Sequence, residues 1–203
     1  MFDTTTKLKD MIAQESARII AEQGIENFSV AKAKAAKFLN AEKKGCLPNN
    51  SEVEKKLFQH FEIFHHKSHS NLIYSMRSTA LIIMQLFNNY RPFLVGSVAN
   101  ETASKSSIIN IHLTSDNSEE IIHVLEKYKI FYRSHERQLK INQKINKKFM
   151  GLKFNYQDTN IELTIFSYKE SKHAPISRID NKPMKRIKLK KLEKLLAPSL
   201  PVI

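Results

Sequence analysis

The sequence predicts an α+β protein: an N-terminal helical bundle over residues 1–90, then a small mixed β-sheet with helices on one side over 91–203. Three observations carry this. Apolar residues recur at helical spacing through the first 90 residues. The period changes from 3.6 to 2 at Arg91-Pro92. Beyond that point the order is strand, Gly-Ser, strand, helix and three more strands. A chain of 203 residues is long enough for a helical region beside a small α/β region.

Leu8, Met11, Ile12, Ile19 and Ile20 place a first helix over 5–24, with Gly24 as its C′ stop. Ser29 is positioned to cap a second helix over 30–39. Lys43 to Asn50 reads as a loop. Ser51 with Glu54 has the spacing of a capping box for a third helix, whose face is Val53, Leu57, Phe61 and Phe64. Leu72, Met76, Ala80, Ile83 and Phe87 are in register on a fourth helix over 69–89. Four such helices suit a bundle.

Phe93-Leu94-Val95 is a short apolar strand ending at Gly96-Ser97, and Ile108 to Thr114 is a second. Ser118 is placed to cap a helix carrying Ile121, Ile122, Leu125 and Tyr128. Strands are expected at 130–138, 147–156 and 160–167, the last two joined by a turn at Asp158-Thr159-Asn160. A proline-bearing loop from His173 to Pro183 leads to a basic amphipathic helix over 186–196.

Composition narrows the function classes. Only four glycines occur, and neither G-x-x-x-x-G-K-[ST] nor G-x-G-x-x-G is present. The single cysteine, Cys46, supports neither a disulfide framework nor a Cys-based zinc site. The polar start, Met1 to Thr6, has no signal-peptide core, and the longest apolar run, Ala80 to Met84, is too short to span a bilayer. A cytoplasmic location with no membrane partner is expected. The net charge is +13, and 16 Lys and Arg against five Asp and Glu from Arg137 onward account for +11 of it. A positive end favours an anionic partner, and a lysine-rich solvated surface explains it equally well.

The stretch from Leu94-Val95-Gly96-Ser97 to Ile108-Ile109-Asn110-Ile111 resembles the polymerase-β-like nucleotidyltransferases, over residues 72–167. In that family a strand and Gly-Ser are followed by a loop and then Asp-x-Asp on the next strand, with a third carboxylate later. The resemblance implies phosphate or nucleotide binding at Gly96, Ser97, Asn110 and His112. It also implies that two Mg²⁺ ions sit on the three carboxylates. This chain departs from the pattern: Ile108 and Asn110 occupy the two aspartate positions, and Glu162 alone remains at the third. One carboxylate cannot hold two hard cations.

Most of the chain also resembles a family of uncharacterised bacterial proteins. The matching stretches are Leu47-Pro48-Asn49-Asn50, Arg91 to Gly96, Ile111-His112-Leu113 and Ile176 to Arg186. Members are often labelled nucleotidyltransferases. Others are labelled muramate–alanine ligases, for which this chain lacks an ATP loop.

Other constellations carry less. Ser16 to Ala33 matches the opening of a repressor-type DNA-binding domain, but the turn and recognition helix are missing, with Leu47-Pro48 in their place. His60, His65, His66 and His69 cluster without the Glu of a H-E-x-x-H motif and read as surface histidines. Ser97, His112 and Asp180 have no G-x-S-x-G elbow. Lys182, Lys185, Arg186 and Lys188 are candidate phosphate contacts on the basic tail.

The expectation is therefore a degenerate nucleotidyltransferase-like protein without metal-dependent transfer and without a cofactor, binding a nucleotide or nucleic acid. The alternatives are an interaction or regulatory scaffold, or an active nucleotidyltransferase with altered metal chemistry around His112 and Glu162.

Overall fold

The computed structural model describes residues 4–41, 45–142 and 144–197. The polar start at 1–3, and Lys43 and Lys44 of the expected loop, lie outside these residues. The protein is α+β, and the described residues form two compact units. One comprises the chain up to residue 72 with 101–107 and 178–181. The other comprises 73–100, 108–177 and the chain from 182 on.

The first unit is built on α1 (Thr4–Gln23), α2 (Phe28–Phe38), α3 (Asn50–Phe64) and the start of α4 (His66–Leu86). Ile12, Ile19 and Ile20 of α1 pack with Ala31 and Ala35 of α2 and with Val53, Leu57 and Phe61 of α3. Gly24 ends α1 as expected, with φ +66° and its N–H donating to the Ile20 carbonyl.

Two caps differ from expectation. Asn27, not Ser29, caps α2: its side chain accepts from the backbone N–H groups of Ser29 and Val30. Ser29 is thus one of the orphan donors being satisfied. The capping box of α3 is Asn49 with Glu52, two residues before the expected Ser51–Glu54 pair. Both pairs have the same spacing, and the earlier one wins because Asn49, directly after Pro48, is still extended.

Phe64, expected on the buried face of α3, is exposed at its last position. His69, expected at the surface, is buried. It stacks on Phe61 at 3.9 Å and its Nε2 donates to the Ala103 carbonyl. Ser106 belongs to the same unit, its hydroxyl donating to the Gly24 carbonyl.

The second unit holds the remainder of α4, whose Met76, Ala80, Ile83 and Met84 are buried. A six-stranded mixed sheet follows. Its strands are β1 (Phe93–Val95), β2 (Ile109–Thr114), β3 (Tyr132–Lys140), β4 (Asn146–Tyr156), β5 (Thr159–Phe166) and β6 (Ile187–Lys188). Their order is β3-β4-β5-β2-β1-β6, with β2 and β5 parallel and all other neighbours antiparallel. Short helices α5 (Ser97–Asn100), α6 (Ser118–Lys127) and α7 (Tyr168–Ser171) lie between strands in the chain, and α8 (Leu189–Leu196) follows β6.

Three local expectations shift here. Asn117, not Ser118, caps α6. The β4–β5 turn is Gln157-Asp158, both at positive φ, with Tyr156 pairing Thr159. A two-residue turn of that kind matches the twist of the strands. The terminal helix starts at Leu189, not 186. Ile187 is instead drawn into the sheet against Leu94, where it is fully buried.

Side chains alternate across a strand and register partners share a face, so the pairing sorts the sheet into two faces. One is apolar: Leu94, Ile109, Ile111, Leu113, Leu152, Phe154, Ile161, Leu163 and Ile187, all buried. The other carries Val95 on β1, Asn110 and His112 on β2, Glu162 and Thr164 on β5, Gly151 and Lys153 on β4, and His135 and Arg137 on β3. No described helix is long and apolar enough to cross a membrane.

Candidate functional site

The polar face gathers its chemistry at one register. Asn110 pairs with Val95 on one side and Glu162 on the other. The next strand places Lys153 opposite Glu162. Gly96 follows directly after β1 with φ +77°, and a Cβ there would lie 3.4 Å from the Asn110 amide nitrogen. Glycine thus suits the left-handed turn that brings the chain against Asn110. Ser97, half-buried, begins the four-residue α5.

Glu162 is buried beside an imidazole and two cations. His135 Nε2 donates to its Oε1 at 2.7 Å, and Arg137 Nη1 lies 2.6 Å from its Oε2. Lys153 Nζ stands 3.8 Å from Oε1. The same Arg137 nitrogen donates to Asn110 Oδ1 at 2.7 Å and to the Thr164 hydroxyl at 3.2 Å. Asn110 Nδ2 donates to the Ile108 carbonyl at 3.0 Å, so each end of its amide has a partner.

His135 and Arg137 sit on β3, two strands away from Glu162, and Gly151 is what lets the histidine reach it. A Cβ on Gly151 would lie 2.5 Å from His135 Cε1 and 2.7 Å from Nε2. The missing side chain opens a lane across β4, along which the imidazole lies. This is the close-approach use of a strand glycine.

The Mg²⁺ pair implied by the family resemblance does not fit these donors. Ile108 and Asn110 supply no charge, and both Glu162 oxygens and the Asn110 oxygen already accept from Arg137 or His135. Among the described residues no group of three or more His, Cys, Asp or Glu could hold a metal ion. What the arrangement supplies is a cluster of hydrogen-bond donors and positive charge around one carboxylate.

His112, one step further along β2, is in a different environment. Its ring is 1% exposed, packs 4.7 Å from Phe166, and neither nitrogen has a hydrogen-bond partner. Burial, and then the charges of Arg186 and Arg137, hold its pKa well below the usual histidine value, so it is neutral. Around Phe166, Leu139 and Phe149 are buried, with Ile141 and Met184 packed against them.

Of the tail cations, Lys182, Lys185 and Lys188 are exposed, the last in β6. Arg186 is not a solvated arm. Its guanidinium lies over the rings of Phe93 at 5.1 Å and Phe166 at 5.6 Å, and Nη1 donates to the Ser171 carbonyl at 2.6 Å. Burial lowers its pKa from the usual arginine value.

The structure therefore brings Gly96, Asn110 and Glu162 together, and seats His112 and Arg186 in a neighbouring, sealed cluster. Sequence reasoning missed His135, Arg137, Lys153 and Thr164. The available signal was alternation: His135 and Arg137 are two apart on one strand, and a glycine interrupts the next one. Compared with models of known protein families the chain matches none, and no curated protein matches it.

Proposed function

We propose that this protein binds a phosphate-bearing ligand, a nucleotide or nucleic acid, on a nucleotidyltransferase-like sheet, without metal-dependent transfer. The observation that carries the reading is the engagement of Glu162 by His135 and Arg137, with Lys153 beside it. In a metal-dependent transferase this carboxylate would face cations supplied by solution. Here the chain supplies the positive charge itself. Arginine forks and lysines suit phosphate oxygens, and the excess charge of this half of the chain adds attraction at longer range.

The test is calorimetric titration of Mg²⁺, paired with thermal shift using a nucleoside triphosphate and an oligonucleotide. A ligand that binds the native state raises Tm. The expected result is a rise in Tm without Mg²⁺, shrinking as salt is added, and no micromolar Mg²⁺ affinity. Micromolar Mg²⁺ binding abolished by Glu162→Gln contradicts the proposal.

An interaction scaffold is the second reading, favoured by the helical unit. There Met11, Gln14, Arg18, Leu39, His60 and Phe64 help line a cleft of about 620 Å³, and Met11 and Phe64 are exposed. Exposed apolar side chains beside a cleft are a common feature of docking sites.

A further inference from the structure

We propose that the end of the sheet where β3 begins and β4 ends binds single-stranded nucleic acid, with a base stacked on Phe131 and the backbone held by Arg133 and Lys153. This rests on the phosphate-ligand reading above and narrows it to one polymer class.

Phe131, just before β3, is 93% exposed, the most exposed large apolar side chain among the described residues. It borders a cleft of about 470 Å³ with Ile108, Arg133, Lys153, Asn155 and Asn160. Arg133 and Lys153 are register partners on adjacent strands, so they lie on one face, the face that carries Glu162. Lys153 lines the cleft and also stands beside Glu162, so one side chain belongs to both.

Charge selects the occupant. From Tyr132 to Tyr156 the hairpin has seven Lys and Arg against Glu136 alone, net +6. Glu136 is itself paired with Lys148 at 2.7 Å. Arg133 has no acidic partner among the described residues. Glu162, the carboxylate beside Lys153, is buried and engaged by Arg137 and His135, so the excess cations of the hairpin favour a polyanion.

The bland explanation of a lysine-rich edge is protection: charges on an edge strand discourage pairing with another chain. Phe131 argues against that being the whole purpose, because an exposed phenyl ring at such an edge invites association. An aromatic face flanked by cations is the arrangement that stacks unpaired bases while tracking phosphates. Bases inside a duplex are already stacked on each other and cannot use it.

The experiment is fluorescence anisotropy with a labelled oligothymidylate and a duplex of equal length, on the whole protein. The single strand is expected to bind at least about fivefold tighter than the duplex, and Phe131→Ala to weaken it by about fivefold or more. Phe131→Tyr should keep the affinity, and the unchanged Tm of both variants should show that an exposed ring was removed without harm to the fold. Arg133→Ala with Lys153→Ala should reduce the slope of log affinity against log salt by about 1.4, for two phosphates on a single strand. Equal binding of the duplex, or Phe131→Ala binding like the parent, overturns the inference. If no oligonucleotide binds but a nucleoside triphosphate does, this inference falls and the phosphate-ligand reading stands. If neither binds, both fall.

Discussion

Arg137 and Arg186 reach the same face of one sheet and are used in opposite ways. Arg137 meets a carboxylate, an amide oxygen and a hydroxyl. Arg186 lies over two phenyl rings, with one carbonyl as acceptor and its Nε buried without a partner. The residues they serve are only one register step apart: Asn110 and Glu162 at the first station, His112 and Thr164 at the second. The first station is polar, carries more cations than carboxylates, and adjoins a cleft. The second is sealed and tolerates an imidazole with no hydrogen bonds. Positive charge alone therefore does not mark a binding surface: one guanidinium is held by polar acceptors, and the other packs on aromatic rings.

The largest effect is expected at the first station. Glu162→Ala leaves Arg137 and Lys153 together with no countercharge and takes the acceptor from His135. Removing one partner of a buried ion pair costs about 3–5 kcal/mol, so urea unfolding should show a loss of that order. A loss under 1 kcal/mol would mean that the cations relax into solvent and that the two stations differ less than described.

Gly151→Ala should cost about 1–3 kcal/mol, because the new methyl group collides with the His135 ring. The cost should shrink sharply in a His135→Ala background. Such a non-additive cycle is the signature of a direct clash, and additive costs would assign the glycine to backbone effects instead.

Much of the fold was legible in the sequence, because periodicity records burial. The strand–Gly-Ser–strand pattern assigns Gly96, Asn110 and Glu162 to one motif, and the register pairs Val95 with Asn110 and Asn110 with Glu162 directly. The caps were displaced by one or two residues, since Asn49–Glu52 and Ser51–Glu54 offer the same pattern and only the backbone entering the helix separates them. Ile187–Lys188 read as helix because the leucines after it are helical, while its partner, Leu94, lies nearly a hundred residues away. The site was half legible for a similar reason. Glu162 and Asn110 stand in a motif, whereas His135 and Arg137 reach them across intervening strands. No local pattern records a side chain that crosses a strand through the space left by Gly151.

The smallest effect is expected at the second station. His112 has no hydrogen bonds to lose, so His112→Leu at neutral pH should change stability by under about 1 kcal/mol, in either direction. Its pKa is depressed in the folded state, so only the unfolded chain takes up the proton below about pH 6.5. Stability must therefore fall as pH drops below about 6.5. His60 and His69 are also depressed, chiefly by burial, and contribute in the same direction. His112→Leu should make the acid loss shallower without abolishing it. An unchanged slope between pH 7 and 5 would contradict the sealed, neutral imidazole.

On the function proposed above, Glu162 serves as the countercharge to its own cations rather than as a metal ligand. The most direct test is the affinity of a nucleoside triphosphate or oligothymidylate for the parent protein and for Glu162→Gln, each with and without Mg²⁺. Glu162→Gln is expected to bind as tightly as the parent or tighter, since Arg137 and His135 are released toward the ligand, and Mg²⁺ is expected to strengthen binding in neither. Binding that requires Mg²⁺ and is lost in Glu162→Gln would contradict this role of Glu162.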